Sequence, residues 1–217
     1  AYSALRTADA AEAAGGRFLL RIEDIDSARS RPEFEDAIFE DLAWLGLSWE
    51  TPVRRQSEHL DVYQQALETL SARSLIYPCF CSRREIRAEI AQAGAAPHGP
   101  GGALYPGTCR ALSEKIRNQR IAAGDAYALR LDVARAGTEA GPLIWREQGR
   151  GDIAGDAASY GDVVLARKET PASYHLAVTL DDHLQGITLV TRGEDLFEAT
   201  HIHRLLQALL GLETPQY

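Results

Sequence analysis

The chain has 217 residues, of which 45% are hydrophobic and 25% charged, a composition typical of one large globular domain or one domain with an insertion. Its formal charge of −8 argues against general coating of nucleic acid but not against a local basic face. No apolar run is long enough to cross a bilayer and no leader pattern starts the chain, so we expect a cytoplasmic monomer without a membrane partner. Methionine is absent, even at position 1, which indicates that the chain begins inside a longer reading frame.

The first 74 residues alternate between helix and strand patterns. Residues 2–14 are rich in alanine and precede a pair of glycines, so they predict a helix. Residues 17–22 form a short apolar run that predicts a buried strand. Residues 32–45 and a segment from Ser57 onwards have apolar residues at helical spacing and predict two more helices. This order is typical of an α/β fold, with a parallel sheet and helices on both faces.

Three carboxylates follow the predicted strand within four residues. They are Glu23, Asp24 and Asp26, and the next helix begins near Pro32. In open α/β sheets, ligands bind at the carboxyl ends of strands, so this turn is a candidate binding site. The alternative is a solvated loop whose acidic side chains cap the next helix.

The character of the chain changes over residues 75–159. A capping-box pattern predicts a helix start at Ser82, and residues 94–107 are rich in glycine and proline, as in a loop. We therefore predict that 75–159 is an insertion with its own small fold. It would separate the first part of the main domain, residues 1–74, from the second part, residues 160–217.

Patterns in the rest of the chain predict further helices and strands. One helix should begin at Ser113, and the last should run from about residue 196 to residue 210. Short apolar runs predict strands at 126–133, 163–166, 174–178 and 187–191.

Three cysteines lie around the glycine-rich loop. Cys79 and Cys81 are close enough in sequence to share one ion, and Cys109 returns from the end of the loop. Zn²⁺ prefers four ligands in a tetrahedron, usually thiolate or imidazole, so a fourth ligand is needed. His98 would complete the commoner Cys₃His set, and Tyr105 is an acceptable but unusual oxygen donor. The alternative to a zinc site is three buried or idle thiols.

A second group of candidates lies further along the chain. Its members are Tyr174, Asp181, Asp182, Arg192, Glu194 and Asp195. Arg192 follows a predicted strand, and its planar guanidinium fits a carboxylate with two hydrogen bonds, so it is a candidate for holding an anionic substrate. The alternative is a surface salt bridge to Glu194 or Asp195. His201 and His203 fall on the last predicted helix and receive no functional role.

Taken together, four stretches resemble a known family. They are RFLLRIEDID at 17–26, RQSE at 55–58, YHLAVTLDD at 174–182 and GITLVTRGED at 186–195. In this order they are similar to the catalytic domain of glutamyl-tRNA synthetases, over nearly all of the chain. The cysteine pattern, CFC at 79–81 with YPGTC at 105–109, is similar to the glutamyl-Q tRNA(Asp) branch of that family, which attaches glutamate to queuosine in the anticodon of tRNA(Asp).

The resemblance implies a class I, Rossmann-like catalytic domain with a zinc-bearing insertion. It implies that glutamate is bound by Glu23, Tyr174 and Arg192. It implies that zinc is held by Cys79, Cys81, Tyr105 and Cys109. The chemistry of the first set agrees, because a carboxylate can receive the substrate ammonium and a guanidinium can pair with a substrate carboxylate.

The resemblance also implies the substrates and partners: glutamate, ATP with Mg²⁺, and tRNA(Asp). Glutamate would be activated by ATP and then transferred to the RNA. Separately, the insertion could present the basic residues Arg83, Arg84, Arg87 and Arg110 to an RNA backbone; the alternative is ordinary solvated charge on a helix. The family carries a HIGH-type motif and a KMSKS-type motif, and neither is present in this sequence; we expect them to flank it. Two alternatives remain, a truncated ordinary glutamyl-tRNA synthetase and a non-catalytic zinc protein that binds RNA or an amino acid.

Overall fold

The computed structural model describes residues 1–26, 29–92, 98–99 and 102–217. The helices are α1 (Tyr2–Ala13), α2 (Pro32–Trp44), α3 (Leu60–Ala72), α4 (Arg83–Gln92), α5 (Glu114–Ala122), α6 (Val133–Ala140), α7 (Tyr174–Leu184) and α8 (Thr200–Leu210). The strands are β1 (Arg21–Ile22), β2 (Arg54–Arg55), β3 (Ile76–Cys79), β4 (His98–Gly99), β5 (Gly102–Ala103), β6 (Ala128–Leu131), β7 (Ile144–Glu147), β8 (Gly151–Ala154) and β9 (Val164–Arg167). Short 3-10 turns cover Gln56–His59, Ala157–Tyr160 and Glu194–Leu196.

The predicted helices of the first half and of the insertion are confirmed. The capping box is formed, because the backbone N–H of Ser82 donates to Glu85 at 2.7 Å and that of Glu85 donates to Ser82 Oγ at 3.2 Å. Ser113 caps α5 in a similar way, with its Oγ accepting from the backbone N–H of Ile116 at 3.4 Å. Gly46 ends α2 with a φ of 78°, a left-handed conformation that glycine adopts without steric strain. Local capping chemistry therefore determined these boundaries.

The sheets differ from the expected single parallel sheet. In the described residues, the parallel pairing between strands is limited to β1 and β2, which lie in register from Arg21 opposite Arg54. The largest sheet has the order β3-β6-β9 and is antiparallel throughout. β7 and β8 form a separate antiparallel hairpin. The α/β class is correct, but the expectation of one parallel sheet with helices on both faces is not met within the described ranges.

Two predicted strands are wrong. Residues 174–178 begin α7, because Ser173 Oγ accepts from the backbone N–H of Leu176 at 3.4 Å and the buried side chains recur at helical spacing to Asp181. The apolar run was too short for periodicity alone to separate strand from helix. The run at 187–191 forms only an isolated parallel bridge, between Leu189 and Gln216.

The core forms where α3, α7 and α8 pack against the antiparallel sheet. Its fully buried side chains include Tyr63, Leu70, Leu131, Leu165, Leu176, Ile202, Leu205 and Leu206. Of the apolar face predicted for the helix after Ser57, Tyr63, Leu67 and Leu70 are each no more than 2% exposed, whereas Leu60, at its start, is 37% exposed. Burial of this face contributes roughly 1.5–3 kcal/mol for each large side chain. The core therefore holds α7 firmly against the sheet.

A buried carboxylate, that of Asp181 on α7, joins four elements. Its side chain is 0% exposed. It accepts hydrogen bonds from Arg54 Nε at 2.9 Å, from Gln56 Nε2 at 2.8 Å and from the Tyr63 hydroxyl at 2.9 Å. Arg21 Nε lies 3.9 Å away. Because buried charges need such partners, this cluster fixes the position of α7 relative to the parallel strand pair.

The three-stranded sheet connects the predicted parts of the chain. β3 and β6 come from the range 75–159, whereas β9 begins after it, at Val164. The division of the chain into 1–74, 75–159 and 160–217 stays a prediction. None of the described helices combines the length and the apolar character needed to cross a membrane.

We predict that Asp181→Asn lowers the free energy of unfolding by about 3–5 kcal/mol, because it leaves the buried Arg54 guanidinium without its counter-charge. Urea denaturation followed by far-UV circular dichroism measures the change.

Asp152→Asn is the matched control. Asp152 pairs with Arg146, but both side chains are more than 60% exposed, so its loss should change stability by no more than about 1 kcal/mol. Equal effects of the two substitutions would show that the Asp181 cluster does not stabilise the fold.

Candidate functional site

A cavity of 310 Å³ lies beside the carboxyl end of β1. Residues from four segments line it: Glu23, Ile25, Asp26, Arg29, Gln56, Val164, Ala166, Arg167, Thr170, Ala172, Ser173 and Tyr174. Two of the predicted glutamate ligands, Glu23 and Tyr174, are among them. The cavity adjoins the parallel strand pair, as the general rule for α/β sheets predicts.

Tyr174 interacts electrostatically with the other two predicted glutamate ligands. Burial raises the pKa of its phenol to about 12, and the Glu23 and Asp182 carboxylates act in the same direction. The Arg21 and Arg192 guanidinium groups act in the opposite direction. The structure therefore brings Tyr174 within electrostatic range of both Glu23 and Arg192, although Arg192 lies outside the described lining of the cavity.

Arg21 holds the Glu23 carboxylate through a branched set of hydrogen bonds. Its Nη2 donates to Glu23 Oε1 at 3.2 Å, while its Nη1 donates to Asp182 at 2.9 Å and to Gln185 at 3.1 Å. The Glu23 side chain remains 42% exposed, so it is oriented but still open to a ligand. The cavity therefore offers this carboxylate to a cationic group.

Arg192 forms a buried ion pair with a partner that the sequence did not reveal. Its Nη1 and Nη2 donate to the two oxygens of Glu147 at 3.0 and 2.8 Å, and both side chains are about 90% buried. Among the described residues, Arg192 forms no salt bridge to Glu194 or Asp195, the alternative considered above, and Glu194 pairs with Arg150 at 2.8 Å. Arg192 is thus a structurally fixed cation rather than a mobile surface residue.

Further contacts fix the plane of the Arg192 guanidinium. Nε donates to Thr200 Oγ1 at 2.9 Å. The guanidinium carbon lies 5.1 Å from the ring centres of both Phe197 and Tyr217, within cation–π range. Glu147 is in turn held by Trp145, whose indole N–H donates to it at 3.0 Å. Such an arrangement suits a binding group that must not move when its ligand arrives.

Two histidines pack beneath Tyr174. His175 Nδ1 lies 3.1 Å from His203 Nε2, and both rings meet the Tyr174 ring edge-on at 5.6 Å between centres. Burial lowers the pKa of His175 to about 4 and that of His203 to about 3, so both rings are neutral at pH 7. The two histidine rings therefore pack against the Tyr174 ring and support its orientation.

The three cysteines converge at the end of β3. Their sulfur atoms all lie within 4.8 Å of one another, and the sulfurs of Cys81 and Cys109 are 3.4 Å apart. Tetrahedral zinc with bonds of about 2.3 Å requires sulfurs roughly 3.8 Å apart. The described cysteines are unpaired by disulfides and match this spacing, so the cluster is compatible with a metal ion.

Tyr105 supplies an oxygen to the same cluster. Its hydroxyl lies 3.3 Å from the sulfur of Cys79 and 3.6 Å from that of Cys81. The Arg130 guanidinium stacks on its ring at 3.9 Å from the centre. Three sulfurs and one phenol oxygen therefore lie close together, and the backbone N–H of Cys109 donates to the same oxygen at 2.9 Å. The alternative ligand, His98, has a side chain that lies outside the described part of the chain.

Comparison with known proteins identifies the family. The model of the catalytic domain of class I tRNA synthetases for glutamate and glutamine (E and Q) matches residues 1–217. The chain belongs to this family. A glutamyl-Q tRNA(Asp) synthetase of Rhodobacter capsulatus is 50% identical over all of this chain and 79% of its own length. One from Nocardia farcinica is 44% identical over 95% of this chain and 62% of its own length.

Ordinary glutamate ligases are also similar, at lower identity. A glutamate–tRNA ligase of Coprothermobacter proteolyticus is 35% identical over 94% of this chain and 42% of its own length. The crystal structure of a glutamate tRNA ligase from Elizabethkingia meningosepticum, in complex with its amino acid, superposes with a TM-score of 0.78 at 27% identity. The superposition covers 99% of this chain and 44% of the E. meningosepticum chain. These relatives are ligases of the class I family, and most are considerably longer than this synthetase domain.

Sequence reasoning missed the residues that hold the site together. Asp181 was noted as a candidate ligand, but its role as a buried acceptor was not predicted, nor were Gln56 and Arg21 recognised as its neighbours. The sequence indicated the burial of Glu147 only weakly, through its position two residues after Trp145 on the same face of a strand. Its pairing with Arg192 spans 45 residues, and a single sequence contains no pattern that predicts such a contact.

The Glu147–Arg192 pair predicts a specific pH dependence of stability. Burial opposes ionisation of Glu147, but the hydrogen bonds from Arg192 and Trp145 outweigh it, so the pKa of Glu147 lies below its ordinary value of 4.5. The pair therefore contributes stability above pH 4.5 and loses it as the pH falls through the folded-state pKa. Glu147→Gln should lower the unfolding free energy by about 3 kcal/mol at pH 7, and by progressively less below pH 4.5.

Urea denaturation of both proteins at a series of pH values checks this. Glu12→Gln is the control, because Glu12 is exposed on α1 and its substitution should have little effect at any pH. A loss for Glu147→Gln that stayed constant down to pH 3 would show that the charge of Glu147 contributes nothing.

Proposed function

We propose that the full-length protein activates glutamate with ATP and Mg²⁺ and transfers it to queuosine in the anticodon of tRNA(Asp). The observation that carries the proposal is that the Glu23 carboxylate and the Tyr174 phenol line one cavity, while the Arg192 guanidinium lies within electrostatic range of Tyr174. The chain spans 62–79% of the length of the relatives named glutamyl-Q tRNA(Asp) synthetase that are described above, so the activity is proposed for the whole protein.

The three groups have the charges that free glutamate requires. The half-exposed Glu23 carboxylate offers a counter-charge to the substrate ammonium. The Tyr174 hydroxyl can hydrogen-bond beside it, and its raised pKa keeps the phenol neutral at pH 7. Arg192 offers the remaining N–H groups of its guanidinium to a substrate carboxylate, since Glu147 and Thr200 fix its plane. Glutamine, which lacks the second negative charge, would bind more weakly.

The chemistry that we propose has two steps. A glutamate carboxylate attacks the α-phosphate of ATP, an acyl–phosphate bond forms, and pyrophosphate leaves. A hydroxyl of the RNA then attacks the acyl carbon, and AMP leaves. The residues of this chain contribute by holding the amino acid in place and by excluding its competitors. The HIGH-type and KMSKS-type motifs, which are not part of this sequence, would contact the ATP.

The names of the relatives support queuosine as the acceptor. The R. capsulatus and N. farcinica proteins, which are 50% and 44% identical to this chain, are both named glutamyl-Q tRNA(Asp) synthetase. The C. proteolyticus glutamate–tRNA ligase reaches 35%. The second candidate function is that of an ordinary glutamate–tRNA ligase, which performs the same activation and charges the 3′ end of tRNA(Glu).

We also propose that the cluster of Cys79, Cys81, Tyr105 and Cys109 holds one zinc ion. The spacing of the three sulfurs and the nearby phenol oxygen support it. The ion would be structural, because four protein ligands leave no open position for a substrate. It would tie the end of β3 to the segment around Cys109 and so stabilise the base of α4.

Protein purified without chelator should contain about one zinc per chain, measured by inductively coupled plasma mass spectrometry. Cys109→Ser should lose the metal, because it removes one thiolate from the tetrahedral set. Absence of zinc from fresh, reduced wild-type protein would contradict the proposal.

Two further variants identify the fourth ligand. Tyr105→Phe removes the phenol oxygen but keeps the ring beneath Arg130, and it should weaken zinc retention against a chelator. His98→Ala should retain zinc as the wild type does. The opposite result would favour the Cys₃His set.

The acceptor is identified by charging with radioactive glutamate. We expect the full-length protein to label tRNA(Asp) that contains queuosine, and to do so even after removal of the terminal adenosine, because the acceptor hydroxyl lies in the anticodon. It should not label tRNA(Asp) without queuosine. Glutamate-dependent exchange between ATP and pyrophosphate should proceed without RNA.

The controls distinguish the alternatives. Labelling of tRNA(Glu) that depends on an intact 3′ end would favour the ordinary ligase. Absence of both labelling and exchange would favour the non-catalytic zinc protein. Arg192→Ala should raise the glutamate concentration needed for exchange far more than the ATP concentration, because a buried charge contact is worth about 2–5 kcal/mol. Arg6→Ala removes an exposed pair with Asp9 on α1 and should leave exchange unchanged.

A further inference from the structure

The turn that follows β9 separates two cavities. One is the 310 Å³ cavity that contains Glu23 and Tyr174, and the other, of 320 Å³, lies beside the cysteine cluster. Both are lined by Val164 and Arg167, so they meet at the end of β9. The turn is closed by backbone hydrogen bonds between Arg167 and Thr170, at 2.8 and 3.2 Å, and is therefore a firm ridge between the two cavities.

Two aromatic rings form one wall of the second cavity. The rings of Phe80 and Tyr127 meet edge-on, with 5.7 Å between their centres. The Arg120 guanidinium lies 4.3 Å from the centre of the Phe80 ring. Tyr127 is 38% exposed, and no hydrogen bond to its hydroxyl occurs among the described residues. A large, open ring supported from one side is a suitable platform for another flat ring.

Cations without partners lie around this wall. Arg83, Arg167 and Lys168 line the cavity, are exposed, and form no ion pair with any described residue. The chain has a formal charge of −8. Other arginines, among them Arg21, Arg55 and Arg110, are paired with carboxylates. The cavity contains one acidic residue in its described lining, Glu169. The local charge is thus opposite in sign to that of the whole chain.

We propose that this surface binds a single-stranded segment of the acceptor RNA, with one base stacked on Tyr127 and phosphates on Arg83, Arg167 and Lys168. The proposal rests on the proposed function, since it places the RNA whose hydroxyl receives the activated glutamate. The reactive nucleotide would enter the cavity of Glu23 and Tyr174, and a neighbouring nucleotide would cross the ridge at Arg167. The Phe80–Tyr127 wall, together with these three cations, is called the stacking surface.

Single-stranded RNA fits this surface better than a duplex. Unpaired bases can splay out and stack on aromatic side chains, and adjacent cations then follow the backbone. A duplex hides its base faces and could use the cations alone. The placement of the cavities agrees, because they share the lining residues Val164 and Arg167 and one strand of RNA can therefore contact both. An anticodon loop and an acceptor 3′ end are both single-stranded, so the stacking surface serves either acceptor.

Binding of fluorescein-labelled tRNA(Asp) and tRNA(Glu) to the full-length protein tests the proposal, by fluorescence anisotropy at several KCl concentrations. For the RNA that binds more tightly, Tyr127→Ala should weaken binding on the order of tenfold or more, and Tyr127→Phe should restore it, because the ring and not the hydroxyl is needed. Arg167→Ala combined with Lys168→Ala should reduce the slope of log K against log [KCl] by about 1.4, or about 0.7 for each phosphate contact.

Matched controls lie elsewhere on the surface. Trp44→Ala removes an aromatic side chain that is 85% exposed, and Arg135→Ala removes an exposed cation of α6 that forms no ion pair with the described residues; neither should change RNA binding. Glutamate-dependent pyrophosphate exchange should be the same in the Tyr127 variants as in the wild type, which shows that they fold. Binding by Tyr127→Ala equal to that of the wild type, or a salt slope unchanged in the double variant, would each overturn the proposal.

The exchange assay also separates this proposal from the proposed function. A wild-type protein without exchange would contradict glutamate activation, whereas the RNA measurements would still report on the stacking surface. A wild-type protein with exchange, but with RNA binding that does not depend on Tyr127, would contradict the stacking surface alone.

Discussion

The buried carboxylate of Asp181 is the constraint on which the arrangement of the domain depends. A charge that is fully removed from water must be met by donors, and these come from β2, from the turn at Gln56 and from α3. Asp181 lies on α7, two turns after the residue that points into the candidate site, Tyr174. Satisfying one carboxylate therefore fixes the rotation and height of the helix that carries the phenol. The parallel strand pair, with only two residues in each strand, is held by the same cluster rather than by its own ladder.

The second ion pair, between Glu147 and Arg192, has a different role. It leaves the site with a guanidinium whose plane is fixed by Thr200, Phe197 and Tyr217. A binding group that is already ordered loses little conformational entropy when the ligand arrives. The pair also balances the charge of Arg192 with that of Glu147 and leaves the remaining N–H groups of the guanidinium in a fixed direction. The neutral histidine pair beneath Tyr174 adds no charge at pH 7.

Local signals in the sequence predicted helices well and tertiary pairing poorly. Caps at Ser82 and Ser113 depend on contacts three residues apart, so a single sequence reveals them. The run from Tyr174 was mistaken for a strand because five apolar residues suit either structure, and only the cap at Ser173 and the core decide between them. The grouping of Cys79, Cys81 and Cys109 was predicted correctly, because all three flank one loop in the sequence and the structure brings their sulfurs within 4.8 Å of one another. The partner of Arg192 could not be predicted, because its contact with Glu147 depends on how the β7–β8 hairpin packs against α8.

The register of the antiparallel sheet places Cys79, Ala128 and Arg167 side by side across three strands. A member of the cysteine cluster and the ridge between the two cavities are thus neighbours in one row of paired residues. A change in the position of Cys79 would therefore reach Arg167 through Ala128, the residue paired with both. The sheet therefore links the cysteine cluster to the cavity of Glu23 and Tyr174, although Cys79 and Arg167 lie nearly 90 residues apart along the chain.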